Sequence, residues 1–213
     1  MTPNEQSQAA LAVCQLAPVI PVLVIEDIAH ARPLAEALVA GGLPALEVTL
    51  RTDCALDAIA AMAQVDGAVL GAGTVLSAAQ MADARAAGAR FAVAPGATPA
   101  LIDAARMHEL PLLPGAQTCS EVMTLLEQGY SVQKFFPAEA IGGAAALKAI
   151  AGPLPQVTFC PTGGITVARA PDYLSLPNVA CVGGSWVAPK ADMAAGDWAA
   201  ITDLARAAAQ LPR

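Results

Sequence analysis

Positive charge is scarce in this chain. Eleven lysines and arginines face eighteen aspartates and glutamates, giving a formal net charge of −7 and an isoelectric point of about 4.7. That balance argues against a nucleic-acid partner and against an anionic membrane surface, both of which recruit cationic side chains. Histidine is scarcer still: only His30 and His108, both in segments of helical composition that read as surface. A zinc-dependent site draws on several histidines, so no metal and no cofactor are expected. Aromatic residues make up 4%, which leaves alanine, valine and leucine to fill the core. The longest apolar run, Ala17 to Ile25, falls well short of the roughly 20 residues that span a bilayer. No charged segment precedes it, as a signal peptide requires. Cys14, Cys54, Cys119, Cys160 and Cys181 are an odd number without C-x-x-C spacing. They read as reduced, buried thiols of a cytoplasmic protein.

What is abundant is apolar surface. With 56% hydrophobic and 14% charged residues over 213 positions, the chain can bury one large core, and a single domain over 1–213 is expected. Residues 4–16 predict a short amphipathic helix. Strand signals follow at 19–25, 45–50, 69–73, 90–94, 111–113, 132–136, 157–160 and 179–182. Helix signals lie between them at 26–40, 53–64, 77–87, 98–108, 118–128, 143–151 and 167–174, and a closing helix covers 197–210. Glycines such as Gly41-Gly42, Gly88 and Gly129 end the helices. Strand starts recur at roughly 20 to 26 residues, the length of one βαβ unit. The alternation predicts a parallel sheet, and about eight units favour a (β/α)8 TIM barrel with a short N-terminal helix over an open sheet.

The second strand supports closure. Side chains alternate along a strand, so Leu46, Val48 and Leu50 share one face while Ala45, Glu47, Thr49 and Arg51 share the other. In an open sheet that second face meets helices and strands its polar groups; in a barrel it faces a lumen. Thr158, Cys160 and Thr162 alternate with Val157, Phe159 and Pro161 in the same way.

The chemistry centres on Ser131-Val132-Gln133-Lys134-Phe135-Phe136-Pro137. Of three lysines, Lys134, Lys148 and Lys190, only Lys134 stands in a strand, on the face of Val132 and Phe136. Burial there disfavours the ammonium and leaves a nucleophilic amine; a strand-end lysine can also snorkel to water. Strand C-termini carry the site in such barrels. They bring Glu47, Arg51, Thr74, Lys134 and Thr162 toward one end. Glu47 and Arg51 can alternatively pair with each other, and Thr74 and Thr162 can be turn residues. Gly163-Gly164 and Gly183-Gly184, the latter followed by Ser185, fall after the last two strands. There bare backbone and a helix N-terminus often hold phosphate.

The stretches LEVTLRT (46–52), GAGTVL (71–76), PGAQTCSE (114–121), KFFPAE (134–139), FCPTGGI (159–165) and VGGSW (182–186) resemble the 2-keto-3-deoxy-6-phosphogluconate (KDPG) and 4-hydroxy-2-oxoglutarate (KHG) aldolases, over nearly the whole chain and in order. The resemblance implies a homotrimeric, metal-independent class I aldolase of the Entner–Doudoroff pathway on a (β/α)8 barrel. Its Schiff-base lysine falls on Lys134 and its acid–base glutamate on Glu47. Its pyruvate-binding groups fall on Arg51 and Thr74, with Pro95 and Phe136 lining the pocket, and Thr162 meets the sugar hydroxyls. Its phosphate-binding backbone falls on Gly163, Gly164, Gly184 and Ser185. Ile141 departs from the polar residue of relatives, and no role is assigned to it. An aldolase for the galactonate epimer is the nearest alternative. A phosphosugar isomerase or epimerase, or a non-catalytic phosphosugar-binding protein, would share the glycine pairs but form no covalent bond at Lys134.

Overall fold

Strands and helices alternate along the chain in the computed structural model, which describes residues 1–213. Strands β1 (Val19–Leu23), β2 (Ala45–Thr49), β3 (Val69–Gly73), β4 (Phe91–Val93) and β5 (Leu112–Leu113) lie side by side. With β9 (Val182–Gly184) flanking β1, they form a curled six-stranded sheet of order β5-β4-β3-β2-β1-β9. Strands β6 (Gly115–Ala116), β7 (Val132–Phe135) and β8 (Thr158–Pro161) form a second, three-stranded sheet. Every pairing is parallel. Only Pro114 separates β5 from β6. It has no N–H to continue the ladder, and there the pairing passes from β4 (Ala92 with Leu112) to β7 (Gly115 with Lys134). Isolated bridges, Phe159 with Val179 and Thr162 with Gly183, connect β8 to the approach to β9.

The helices are α1 (Pro3–Cys14), α2 (Ala31–Ala40), α3 (Ala55–Met62), α4 (Ala78–Ala86), α5 (Pro99–Met107), α6 (Cys119–Glu127), α7 (Gly143–Ala151), α8 (Ala170–Leu174), α9 (Lys190–Ala195) and α10 (Trp198–Ala209). Their starts follow from local chemistry. The side chains of Ser77, Thr98 and Thr118 accept from the backbone N–H of Gln80, Leu101 and Glu121, caps worth about 1 kcal/mol each.

Strand alternation sorts the apolar residues into two cores. Leu46, Val48 and Phe159 join a large cluster between strands and helices. Ile20, Ala45, Phe91, Val93, Leu113, Val132 and Cys160 turn the other way, into a small inner cluster. Gly71 makes room there: an added Cβ would sit 2.2 Å from the Phe91 ring. Helix α1 packs on this inner cluster through Ala10 and Cys14. Its remaining buried residues are polar. Gln6 accepts from Tyr130 Oη at 2.8 Å, and Ser7 Oγ accepts from Val132 N at 2.9 Å.

Several expectations are corrected. The segment 26–40 is a short 3-10 turn over Ile28–His30 followed by α2, and the helix expected at 167–174 begins only at Ala170. The strand expected at 179–182 lies instead at Val182–Gly184, because the chain runs extended through the glycine pair. Neither β6 nor α9 was anticipated. Cys14, Cys160 and Cys181 are buried as expected, but Cys54 is half-buried and Cys119 exposed. Both histidines are half-buried, His30 lying edge-on to Trp198.

Candidate active site

Lys134 is buried, with 5% of its surface exposed, whereas Lys148 and Lys190 lie on helices near the surface. It sits in the middle of β7 because Gln133 and Phe135 take the outer face; Gln133 Nε2 donates to the carbonyls of Val122 and Tyr130. The Nζ of Lys134 lies 3.4 Å from Oε1 of Glu47 on β2, itself 3% exposed. The ammonium also stands 5.2 Å above the centroid of Phe136, a favourable position for a cation over a ring face. Glu47 reaches this place because β3 carries Gly73 one pleat beyond its register partner Gly71: a Cβ at Gly73 would fall 2.2 Å from Glu47 Oε1. Burial pushes the Glu47 carboxyl above the ordinary carboxylate range, and the charges of Lys134 and Arg51 only partly oppose this. A buried acid whose proton affinity is raised in this way is suited to taking up and returning a proton.

Arg51 follows β2 and is exposed. Its Nε donates to Thr74 Oγ1 at 3.2 Å, which leaves the outer guanidinium nitrogens free of protein partners. Thr74 adopts φ 58°, a left-handed conformation uncommon for a β-branched residue; it turns the hydroxyl that receives Arg51. Pro95 is half-buried after β4, and its carbonyl occupies the space above the α-carbon of Gly115.

A cavity of about 310 Å³ is walled in part by Arg51, Phe136, Thr162, Gly163, Gly164 and Ser185. Six of the expected site residues therefore share one space, and Thr74 joins it through Arg51. Lys134, Glu47, Pro95 and Gly184 are not among its walls; Lys134 meets it through Phe136, over whose ring its Nζ stands. Thr162 is 6% exposed and its Oγ1 has no hydrogen-bond partner. The backbone N–H groups of Gly163, Gly164 and Ser185 donate to no acceptor in the protein. Gly163 and Gly164 adopt φ 104° and 78°, open to glycine and strained for other residues.

One expectation fails here and another is narrowed. Gly184 is not among the cavity's walls, and a Cβ on it would enter the Trp186 ring at 2.0 Å. Gly183 is the member of that pair in the cavity wall, where its bare α-carbon meets Thr162 Oγ1 at 2.3 Å from an ideal Cβ. Cys181 belongs to the inner cluster, so the two-residue period points Gly183 inward, a parity available in the sequence. Nor does a helix begin at either pair. The chain turns from Gly164 to Ala170 before α8, and from Ser185 to Lys190 before α9.

Val22, Val24 and Ile165 also wall the cavity and were not anticipated. Nor was Glu139. Its N–H donates to the carbonyl of Gly163 at 3.1 Å, and its carboxylate accepts from Tyr173 Oη and from Arg169 Nη2. Its side chain fills the space where a Cβ on Gly164 would stand. Glu139 thus pins the glycine loop from outside.

Comparison with known proteins finds matches over almost the full length of the chain. Residues 11–204 match the family described as "Aldolase: KDPG and KHG aldolase". A protein of Pseudoalteromonas atlantica named 2-dehydro-3-deoxy-phosphogluconate aldolase is 56% identical over 192 residues, 90% of this chain and 89% of its own. The KHG/KDPG aldolase of Escherichia coli K12 is 52% identical over 203 residues, 95% of each. Among solved structures, KDPG aldolase from Legionella pneumophila, described with pyruvate captured as a covalent carbinolamine, is 50% identical. It superposes with a TM-score of 0.91 over 94% of this chain and 98% of its own. A match of this length and identity, on the same fold, establishes that the chain belongs to the KDPG and KHG aldolase family.

Proposed function

We infer that this protein is a class I aldolase. It cleaves 2-dehydro-3-deoxy-6-phosphogluconate to pyruvate and D-glyceraldehyde 3-phosphate, and 4-hydroxy-2-oxoglutarate to pyruvate and glyoxylate. The observation that carries the reading is the buried pair of Lys134 Nζ and Glu47 Oε1, 3.4 Å apart. A lysine ammonium and a carboxylate of raised proton affinity, both shielded from water, can exchange a proton and leave the amine free to attack a ketone. The pyruvate carbinolamine named for the Legionella relative is the adduct such a lysine forms.

The reaction then follows from the residues. Neutral Lys134 attacks C2 of the substrate, and the carbinolamine loses water to give an iminium. Glu47 carries protons for these steps and takes the proton of the C4 hydroxyl. The C3–C4 electron pair moves into the iminium, the aldehyde leaves, and protonation and hydrolysis of the enamine release pyruvate. Arg51, held by Thr74, offers its outer nitrogens to the substrate carboxylate in two-pronged fashion. Thr162 meets the sugar hydroxyls with its otherwise unpartnered Oγ1. The unpaired N–H groups of Gly163, Gly164 and Ser185 receive the phosphate.

The same reading takes the two sheets as one closed (β/α)8 barrel forming a single domain over 1–213. It is supported by the β5-Pro114-β6 continuity and by the bridges between β8 and β9. A cytoplasmic homotrimer completes it. No helix is long and apolar enough to cross a membrane, and light scattering is expected to give three chains per particle. The deciding experiment is borohydride reduction with pyruvate. One adduct per chain is expected, on the peptide containing Lys134. Active protein left unmodified, or modified only at Lys148 or Lys190, overturns the assignment.

A further inference from the structure

Three cysteines converge where the aldol chemistry uses none of them. Cys14 ends α1, Cys160 lies on β8 and Cys181 immediately precedes β9, yet their sulfur atoms all lie within 4.8 Å of one another. Cys181 Sγ donates to Cys160 Sγ across 3.5 Å. None of the three is more than 2% exposed. A d10 metal–thiolate bond is about 2.3 Å long, so three of them in a plane place the sulfurs about 4.0 Å apart. One observed pair is 3.5 Å apart and none exceeds 4.8 Å, separations compatible with that triangle.

The surroundings select the cation. The apolar residues of the inner cluster, including Ala10, Ile20, Ala45 and Val132, offer no nitrogen or oxygen side-chain donor, and the polar neighbours of Cys160, Lys134 across the strand pair and Thr162, are engaged in the site described above. Hard cations need oxygen ligands, and a structural zinc closes with four ligands, one more than this cluster supplies. Sulfur-only donors select soft ions such as copper(I). A monovalent ion is neutralised by one thiolate, with the other two sulfurs donating as thiols. The single displaced proton passes to solvent, and no net charge enters the apolar interior.

We propose that Cys14, Cys160 and Cys181 form a buried three-sulfur site for a soft monovalent d10 cation of the copper(I) and silver(I) class. Because Cys14 rides on α1, the ion enters when that helix lifts from its contacts with Tyr130 and Val132.

Silver(I) is a suitable probe because it needs no reductant. The protein to use carries Cys54→Ser and Cys119→Ser, with excess free methionine as competitor. After incubation of the folded protein, or refolding with the ion present, native mass spectrometry is expected to find one silver per chain. X-ray absorption is expected to find three sulfur neighbours. Cys14→Ala or Cys181→Ala in that background is expected to lower retention at least tenfold. Failure to retain silver by either route overturns the proposal, as do unchanged retention in both alanine variants and a sulfur count other than three. The sulfur count is read with all three thiols intact, so it decides even if an alanine variant does not fold.

Discussion

Glu47 occupies the space that a side chain at position 73 would take: an ideal Cβ on Gly73 falls 2.2 Å from Oε1 and 2.6 Å from Cγ of Glu47. Two neighbouring strands thus share one cavity for one carboxylate. Gly73→Ala has to push Glu47 away from Lys134, although alanine is otherwise harmless in a strand. The variant is expected to fold and still be trapped slowly by pyruvate at Lys134. Its kcat should fall by about 10²-fold or more, the scale of displaced acid–base groups. Steady-state kinetics beside borohydride trapping separates the two effects; equal loss of both means general damage to β3.

Replacing Glu47, the proposed proton carrier, gives a complementary result. Glu47→Gln keeps size and hydrogen bonding but cannot take a proton. A fall in kcat of about 10²–10⁴-fold is expected, and near-normal turnover would move the proton work to another residue.

The same substitution makes a pH prediction for stability. Burial raises the Glu47 carboxyl from its ordinary 4.5, so between the unfolded and folded values the native state holds the extra proton. Stability rises with pH only where the unfolded state binds more protons; here the sign is opposite. The contribution of Glu47 is greatest near and below pH 4.5 and declines as pH rises through its raised native value. Urea melts of the wild type and Glu47→Gln are expected to show the wild type losing ground to the variant over that interval, then running parallel. A difference independent of pH would mean that Glu47 titrates normally.

Much of this was legible in the sequence because it depends on strand parity. Lys134 was conspicuous between Val132 and Phe136, and Glu47 stood on the polar side of a strand whose other side is Leu46 and Val48. The last strand was expected to end at Val182, before the glycine pair at 183–184; it runs through that pair, and parity gives the two residues opposite faces. Other features rest on distant partners that spacing does not encode. Gln6 and Ser7 on α1 are buried because Tyr130 and Val132 meet them. The three inner thiols gather from positions 14, 160 and 181. Pro114 splits a ladder only because neighbours on both sides use the strand.

Arg51 tests the carboxylate end. Its Nε is engaged with Thr74 Oγ1 at 3.2 Å, which orients the fork and leaves the outer nitrogens for the ligand. Lysine keeps the charge but offers neither the fork nor the threonine contact. Arg51→Lys is expected to raise KM for both the six-carbon substrate and 4-hydroxy-2-oxoglutarate by about tenfold, equivalent to roughly 1.4 kcal/mol, with a smaller change in kcat. An unchanged KM for either removes Arg51 from the carboxylate site.

The phosphate end is tested by substrate and protein changes together. No lysine or arginine other than Arg51 lines the cavity. Lys190 lies nearby, but its Nζ is engaged 2.5 Å from Glu26. On the proposed function, phosphate recognition at the glycine end falls to backbone N–H groups and the Ser185 hydroxyl. Hydrogen bonds to a charged group contribute roughly 1.5–3 kcal/mol each, so the dephosphorylated substrate should lose about 10²-fold or more in kcat/KM while still forming the Schiff base. Ser185→Ala removes one donor and should weaken only the phosphorylated substrate, by a fewfold to tenfold. Gly184→Ala drives a methyl group into the Trp186 ring, outside the cavity, and should lower stability and affect both substrates alike. If Ser185→Ala fails to distinguish the two substrates, or Gly184→Ala harms only the phosphorylated one, the phosphate lies elsewhere than against Gly163, Gly164 and Ser185.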